Sequence, residues 1–229
     1  RKTAIVLLLV TGFLFIPIRG GFSVSTMNTG WAYYSDKIEL NHAAINPCFS
    51  LMESLSREQA FDKQYRFLKD DEAVKEFDKL KDVTVTDSIP TLLTTKRPNV
   101  IIIVLESFTS KIVQPLGGLP DVASNMNAFC KEGILFTNFY ANSFRTDRGL
   151  VSILSGYPAQ PTTSIMKYPQ RSQSLPSISK SLKKAGYSTE YYYGGDANFT
   201  NMRSYLLSQG YDRIVCDKDF PLKERLSKW

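Results

Sequence analysis

Hydrophobic and polar positions divide the chain into stretches of different character. Ala4 to Ile18 (AIVLLLVTGFLFIPI) is apolar, with one Pro, one Thr, one Gly and no charge. A full membrane span takes ~20 apolar residues, so this run has the length of the end of a spanning helix. A signal peptide would add a small-x-small cleavage site, which is not seen. The core helix of a soluble protein fits the length as well. Residues 1–22 are assigned to the end of a transmembrane segment, with Arg19-Gly20-Gly21 as a helix breaker carrying an interfacial charge.

Residues 23–97 read as a helical linker. Ser23 to Pro47 is mixed, rich in Tyr, Asn and Thr, and suggests a connector hugging the surface. Phe49 to Lys81 carries Phe61, Tyr65 and Leu68, then Val74, Phe77 and Leu80, at helical spacing among many charges. Val83 to Arg97 is polar and Thr-rich and ends at Pro98, which marks a domain boundary.

The pattern changes at Asn99. Val100-Ile101-Ile102-Ile103-Val104-Leu105 is a continuous β-branched run, the signature of a strand buried on both faces of a parallel sheet. Ile134 to Phe139 reads as another strand. Leu175 to Ala185 predicts a helix stopped by Gly186, and Ser188 to Tyr193 a strand stopped by Gly194-Gly195. Asn198 to Gln209 predicts a helix with Gly210 as its stop, and Tyr211 to Val215 a short strand. This alternation over residues 98–229 predicts an α/β sandwich around a mostly parallel sheet.

Composition narrows the function classes. The 229 residues carry a formal net charge of +6, from 28 Lys+Arg against 22 Asp+Glu. The excess is spread out, without the basic run of a nucleic-acid-binding arm. Such a surface suits an anionic membrane or a phosphate-bearing substrate, or has no particular partner. Cys48, Cys130 and Cys216 lie far apart and form neither a disulfide scaffold nor a zinc cluster, and read best as three buried thiols. His42 is the only histidine. A His-based triad or a multi-histidine zinc site therefore cannot be assembled from these residues alone.

Three places carry candidate chemistry. Glu106 follows the apolar strand, where open α/β sheets bind ligands, and its carboxylate can hold a hard divalent cation. It can equally cap the next segment or pair with a lysine. Thr146 lies in Asn142-Ser143-Phe144-Arg145-Thr146-Asp147-Arg148-Gly149, a polar loop feeding the apolar stretch that ends Leu154-Ser155-Gly156. A hydroxyl at a helix start sits in the positive end of the dipole and can be activated by a metal ion instead of a histidine. The competing reading, favoured on local sequence, is an ordinary N-cap. Asp196 and Arg203 follow the strand ending at Tyr193. Arg203 offers a planar donor fork to phosphate, or is a solvated helix-face residue.

In this order the pieces resemble the lipoteichoic acid synthase-like branch of the alkaline phosphatase/sulfatase superfamily. Asn99 to Phe108 resembles that family's first strand with its metal-binding Glu. Thr146, ahead of a helix ending Leu154-Ser155-Gly156-Tyr157-Pro158, matches the placement of its threonine nucleophile. Gln173 to Ile178, then Leu182 to Tyr187, is similar to its next helix and strand. Gly195-Asp196 with Arg203 resembles its substrate-phosphate pocket. Pro17 to Gly21 and Asn41 to Ser50 look like its last membrane exit and linker. The resemblance implies that Glu106 and Thr146 ligate a divalent ion, Mn²⁺ first and Mg²⁺ or Zn²⁺ next. It makes Thr146 the group that takes up the phosphoryl unit, with Arg203 and Asp196 at the substrate. The family's remaining ligands, an adjacent Asp and His, and a further substrate His belong to a later half, so these residues alone are expected to be inactive. Its pocket aromatic has no equivalent at the matching position, Asn201, so a different head group fits as well.

Related sulfatases carry a modified Cys or Ser in a C/S-x-P-x-R motif, whereas Thr146-Asp147-Arg148-Gly149-Leu150 has neither that Pro nor that Arg. Sulfate-ester hydrolysis is thus disfavoured. The resemblance implies a bacterial inner-membrane protein with an extracytoplasmic catalytic domain. It would move a phosphoglycerol- or phosphoethanolamine-type group from a phospholipid donor to a glycan or lipid acceptor. Two rivals stay open: a sulfatase-like or phosphodiesterase hydrolase on the same scaffold, and a non-catalytic membrane-tethered binding module.

Overall fold

A computed structural model describes residues 1–22, 26–56, 66–81 and 93–225. They belong to two compact units, one formed by residues 1–52 with the chain from 124 onward, the other by residues 53–123.

In the first unit, α1 spans Lys2–Arg19 and buries none of its residues. Its 18 residues rise ~27 Å at 1.5 Å each, close to the ~30 Å of a bilayer's hydrocarbon core. By length and composition it is apolar enough to cross a membrane. The connector is more ordered than its mixed composition predicts: a 3₁₀ turn at Thr29–Ala32, then α2 at Ile38–Ala44 and α3 at Pro47–Ser56. Asn41 is buried because its carboxamide replaces backbone partners. Its Oδ1 accepts the amides of Tyr34 and Ser35, both at 3.0 Å, and its Nδ2 donates to the Ser35 carbonyl at 2.7 Å.

Further along come α5 (Ser124–Glu132), α6 (Thr146–Ser155), α7 (Pro169–Ser172), α8 (Ile178–Lys184) and α9 (Met202–Ser208). The strands β1 (Glu190–Tyr192) and β2 (Arg213–Val215) pair in parallel, with Tyr191 opposite Ile214. Parallel strands need a crossover, and here α9 lies within it. Gly186 and Gly210 end α8 and α9 with φ of +82° and +75°, where a side chain would strain the turn. The Thr189 amide donates to Asp212 Oδ2 at 2.7 Å, and Lys183 pairs with Asp212 Oδ1 at 2.6 Å. The Lys183 hydrogen bond, helped by the Thr189 amide, holds the Asp212 carboxyl below its ordinary range.

The core is built where α6 and α9 turn their apolar sides inward. Leu150, Val151 and Leu154 pack with Met202, Tyr205, Leu206 and Met166. Ser155 Oγ lies 2.7 Å from Tyr205 Oη and donates to Gln209 Oε1 at 3.1 Å, so the polar atoms carried into this core are satisfied by one another. Burial pushes the Tyr205 phenol up to about 12 from an ordinary 10.0, against the smaller opposing effect of its Ser155 hydrogen bond. Folding thus favours the neutral phenol. That contribution is complete below pH 10 and fades as the pH rises towards 12. The urea midpoint of the wild type is expected to fall more steeply between those pH values than that of Tyr205→Phe. Identical slopes would mean that the phenol is not buried in a way that matters.

The second unit contains α4 (Asp70–Lys81), whose first turn, Asp70-Asp71-Glu72, suits the positive end of the helix dipole. It also contains 3₁₀ turns at Ser110–Ile112 and Gln114–Leu116. These close tightly, since a Cβ on Gly118 would sit 2.6 Å from both the Ser110 carbonyl oxygen and the Val113 amide nitrogen.

Several expectations are corrected. Among the described residues, the stretch expected as a helix over Phe49–Lys81 carries α3 and α4, and residues 66–69 are non-helical; Phe61 and Tyr65 lie outside the described residues. Most of the Val83–Arg97 linker, residues 83–92, lies outside them too. Val100–Leu105 and Ile134–Phe139 are not strands, and Ile101 and Ile103 are 85% and 77% exposed. A strand is a property of a pair, and β-branched side chains supply only the propensity for it. Among the described residues the sheet has two strands, β1 and β2. Only Cys216 of the three free cysteines is buried; Cys48 is exposed and Cys130 half-buried.

Candidate functional site

Thr146 is the first residue of α6 and is half-buried. The capping position belongs to Arg145, in extended conformation and without a side-chain cap. The N-cap reading of Thr146 is therefore set aside: its hydroxyl stands at the helix mouth, inside the first turn, where the dipole favours negative charge. The loop around it is held by side chains on both sides. Asp147, 4% exposed, pairs with Arg145 Nε at 3.7 Å. Its carbonyl accepts the Ser164 hydroxyl at 2.7 Å. Arg148 donates to the Pro161 carbonyl and lies 5.8 Å from the centre of the Phe144 ring. Ser152 Oγ lies 3.0 Å from Asn142 Oδ1 and 2.9 Å from the Tyr157 carbonyl oxygen, tying the loop before α6 to the loop after it.

Asp196 sits on the segment between β1 and α9, and Arg203 is the second residue of α9. Asp196 Oδ1 accepts the Asn198 amide at 3.0 Å and lies 3.5 Å from Lys218 Nζ, so the carboxylate shapes its own turn and holds a cation. The Arg203 amide donates to the Ala197 carbonyl at 2.7 Å, which brings the two residues into one bend. Its Nε donates to the Tyr33 carbonyl at 3.1 Å, so a fork to phosphate would use the two Nη nitrogens. The charge of Arg203 also helps hold Asp219 below its ordinary value, after the larger effects of the hydrogen bonds at Cys216. Thr200 and Asn201 are both left-handed, at φ +51° and +61°. Asn201, 1% exposed, accepts the Gly30 amide at 3.2 Å. Gly195 permits close approach: a Cβ there would meet the Tyr193 ring at 2.6 Å.

Thr146, Asp196 and Arg203 thus belong to one unit, and the helices that carry Thr146 and Arg203 share a core. Glu106 belongs to the other unit, is exposed, and precedes Ser107 at φ +56°. The hydroxyl of Thr146 and the carboxylate of Glu106 are hard oxygen donors suited to a divalent ion. Among the described residues no group of three or more His, Cys, Asp and Glu side chains gathers. Sequence reasoning missed Asn28, Gly30 and Tyr33, which reach the Asn198–Arg203 segment from about 170 residues away. The Asn28-Thr29-Gly30 turn was their only local signal.

A hydroxyl at a helix mouth and an arginine at the start of the helix after a parallel strand are thus joined by one core in an α/β unit. Residues 98–225, more than half of the chain, match the sulfatase family, and the chain belongs to that family. Enzymes of this superfamily generally use divalent metals. A protein of the alkaline phosphatase superfamily from Vibrio parahaemolyticus is similar at 33% identity and a TM-score of 0.47, over 52% of this chain and 29% of that one. The chain therefore spans less than a third of that protein's length.

Proposed function

We propose that the protein is a membrane-anchored, metal-dependent transferase moving a phosphoglycerol- or phosphoethanolamine-type group from a phospholipid to a glycan or lipid acceptor. The observation that carries this reading is the place of Thr146, at the first position of α6 instead of at its cap. Two further facts support it. The family's sulfatase signature is not matched by Thr146-Asp147-Arg148-Gly149-Leu150, and α1 could hold the domain at a bilayer. Arg1 and Lys2 before the apolar run fit an extracytoplasmic domain by the positive-inside rule, in a bacterial inner membrane.

The Thr146 oxygen attacks phosphorus, the bond from phosphorus to the diacylglycerol oxygen breaks, and diacylglycerol leaves with the proton that the Thr146 hydroxyl gives up. An acceptor hydroxyl then attacks the phospho-threonine, and the Thr146 hydroxyl is restored. A divalent ion, Mn²⁺ in our reading, would supply a lowered hydroxyl pKa and neutralise phosphate charge. Arg203 would hold the phosphate oxygens through its Nη nitrogens, with Asp196 shaping the bend beside them.

The test uses the whole protein in detergent with Mn²⁺ and fluorescent phosphatidylglycerol or phosphatidylethanolamine. Diacylglycerol is expected to appear, to require an alcohol acceptor, and to stop on chelation. Release to water alone would make the enzyme a hydrolase. Turnover of a sulfate ester and of neither lipid would overturn the proposal.

A further inference from the structure

The segment 27–34 leaves the end of α1 and spends its long-range hydrogen bonds on a single target. The Met27 amide donates to the Arg19 carbonyl at 2.8 Å, which pins the start of the segment to the last turn of the apolar helix. Asn28 Nδ2 then donates to the Asn198 carbonyl at 3.1 Å. The Gly30 amide reaches the buried Oδ1 of Asn201 at 3.2 Å, and the Tyr33 carbonyl accepts Arg203 Nε at 3.1 Å. Lys218, the partner of Asp196, lies 5.9 Å from the centre of the Trp31 ring. Asn41 fixes the far end at Tyr34 and Ser35. Tyr33 is 4% exposed, and the Gly30–Asn201 hydrogen bond is buried, where such a bond is costly to lose.

We propose that this strap is a positioning device for the candidate phosphate site, with Asn28 and Gly30 as its positioning residues. It holds Asn198–Arg203 in one conformation and fixes the direction of the Arg203 guanidinium, linking the end of α1 to the site. Two consecutive left-handed non-glycine residues, Thr200 and Asn201, persist only where the surroundings over-determine them, and the strap supplies that constraint. The inference rests on the reading of Arg203 as the phosphate ligand. It predicts an effect on substrate affinity with the chemical step preserved.

Gly30→Ala is the decisive variant, because its Cβ would meet Asn201 Oδ1 at 2.7 Å, Asn28 Oδ1 at 2.9 Å and Asn201 Cα at 3.1 Å. Hydrogen exchange and lipid turnover are measured on the whole protein in lipid nanodiscs. Exchange is expected to rise together in residues 26–34 and 198–206 while α6 keeps its protection. KM for the lipid should rise about tenfold with kcat within about twofold. Asn28→Ala, which removes bonds without adding atoms, should do the same to a smaller extent and serves if Gly30→Ala fails to fold. Tyr34→Ala, at a residue 59% exposed, should change neither. Faster exchange in 26–34 with 198–206 still protected would overturn the proposal. If the wild type turns over no lipid, the functional reading falls, and the exchange comparison alone decides the strap.

Discussion

Thr146→Ala is expected to cut lipid turnover by about 10³-fold or more, the scale on which removing a covalent nucleophile acts. The thermal midpoint should stay close to that of the wild type. These two outcomes separate because of where the residue sits. A capping threonine would cost ~1 kcal/mol when replaced by alanine, but the cap of α6 is Arg145 and carries no side-chain bond. Alanine is also a better helix former than threonine, so the first turn should tolerate it. Thr146→Ser keeps a hydroxyl at the same place and should retain measurable turnover. Full activity in Thr146→Ala would remove this residue from the chemistry, and a large fall in stability would return it to a structural role.

The largest loss of stability is expected from Leu206→Ala. Leu206 is fully buried and packs with residues of α6 and with Met166. Removing it leaves a cavity where helices from distant parts of the sequence meet, at a cost of about 3 kcal/mol. That is a large share of the roughly 5–15 kcal/mol by which domains are stable. The urea midpoint should drop with an unchanged slope, whereas Leu40→Ala, at a position 44% exposed, should barely move it. An unmoved midpoint in Leu206→Ala would mean that α6 and α9 do not share the core described here.

Local signals carried most of what the sequence made legible. α6, α8 and α9, with glycines closing them, and the strands β1 and β2 follow from periodicity and turn chemistry within a few residues. The same is true of α1. What failed depends on distant partners. Val100–Leu105 has every local mark of a central strand and still lies exposed, since its state is decided by neighbours that composition cannot announce. Nothing within Asn28-Thr29-Gly30 tells that its groups answer to Asn198 and Asn201. Of the candidate residues, Thr146 and Arg203 stand in the first turns of α6 and α9, while the Tyr33 carbonyl that engages Arg203 has no side-chain signature at all.

The exposed run Val100–Leu105 also governs how these 229 residues behave by themselves. Six consecutive β-branched or aliphatic residues without charge, Pro or Gly make a ready template for another chain's backbone. Natural sequences flank such runs with charges or proline, and here Pro98 and Glu106 stand near the two ends. Concentrating the chain with this run uncovered therefore favours self-adhesion, and a charged substitution at Ile101 or Ile103 is the gatekeeper that would keep it in solution.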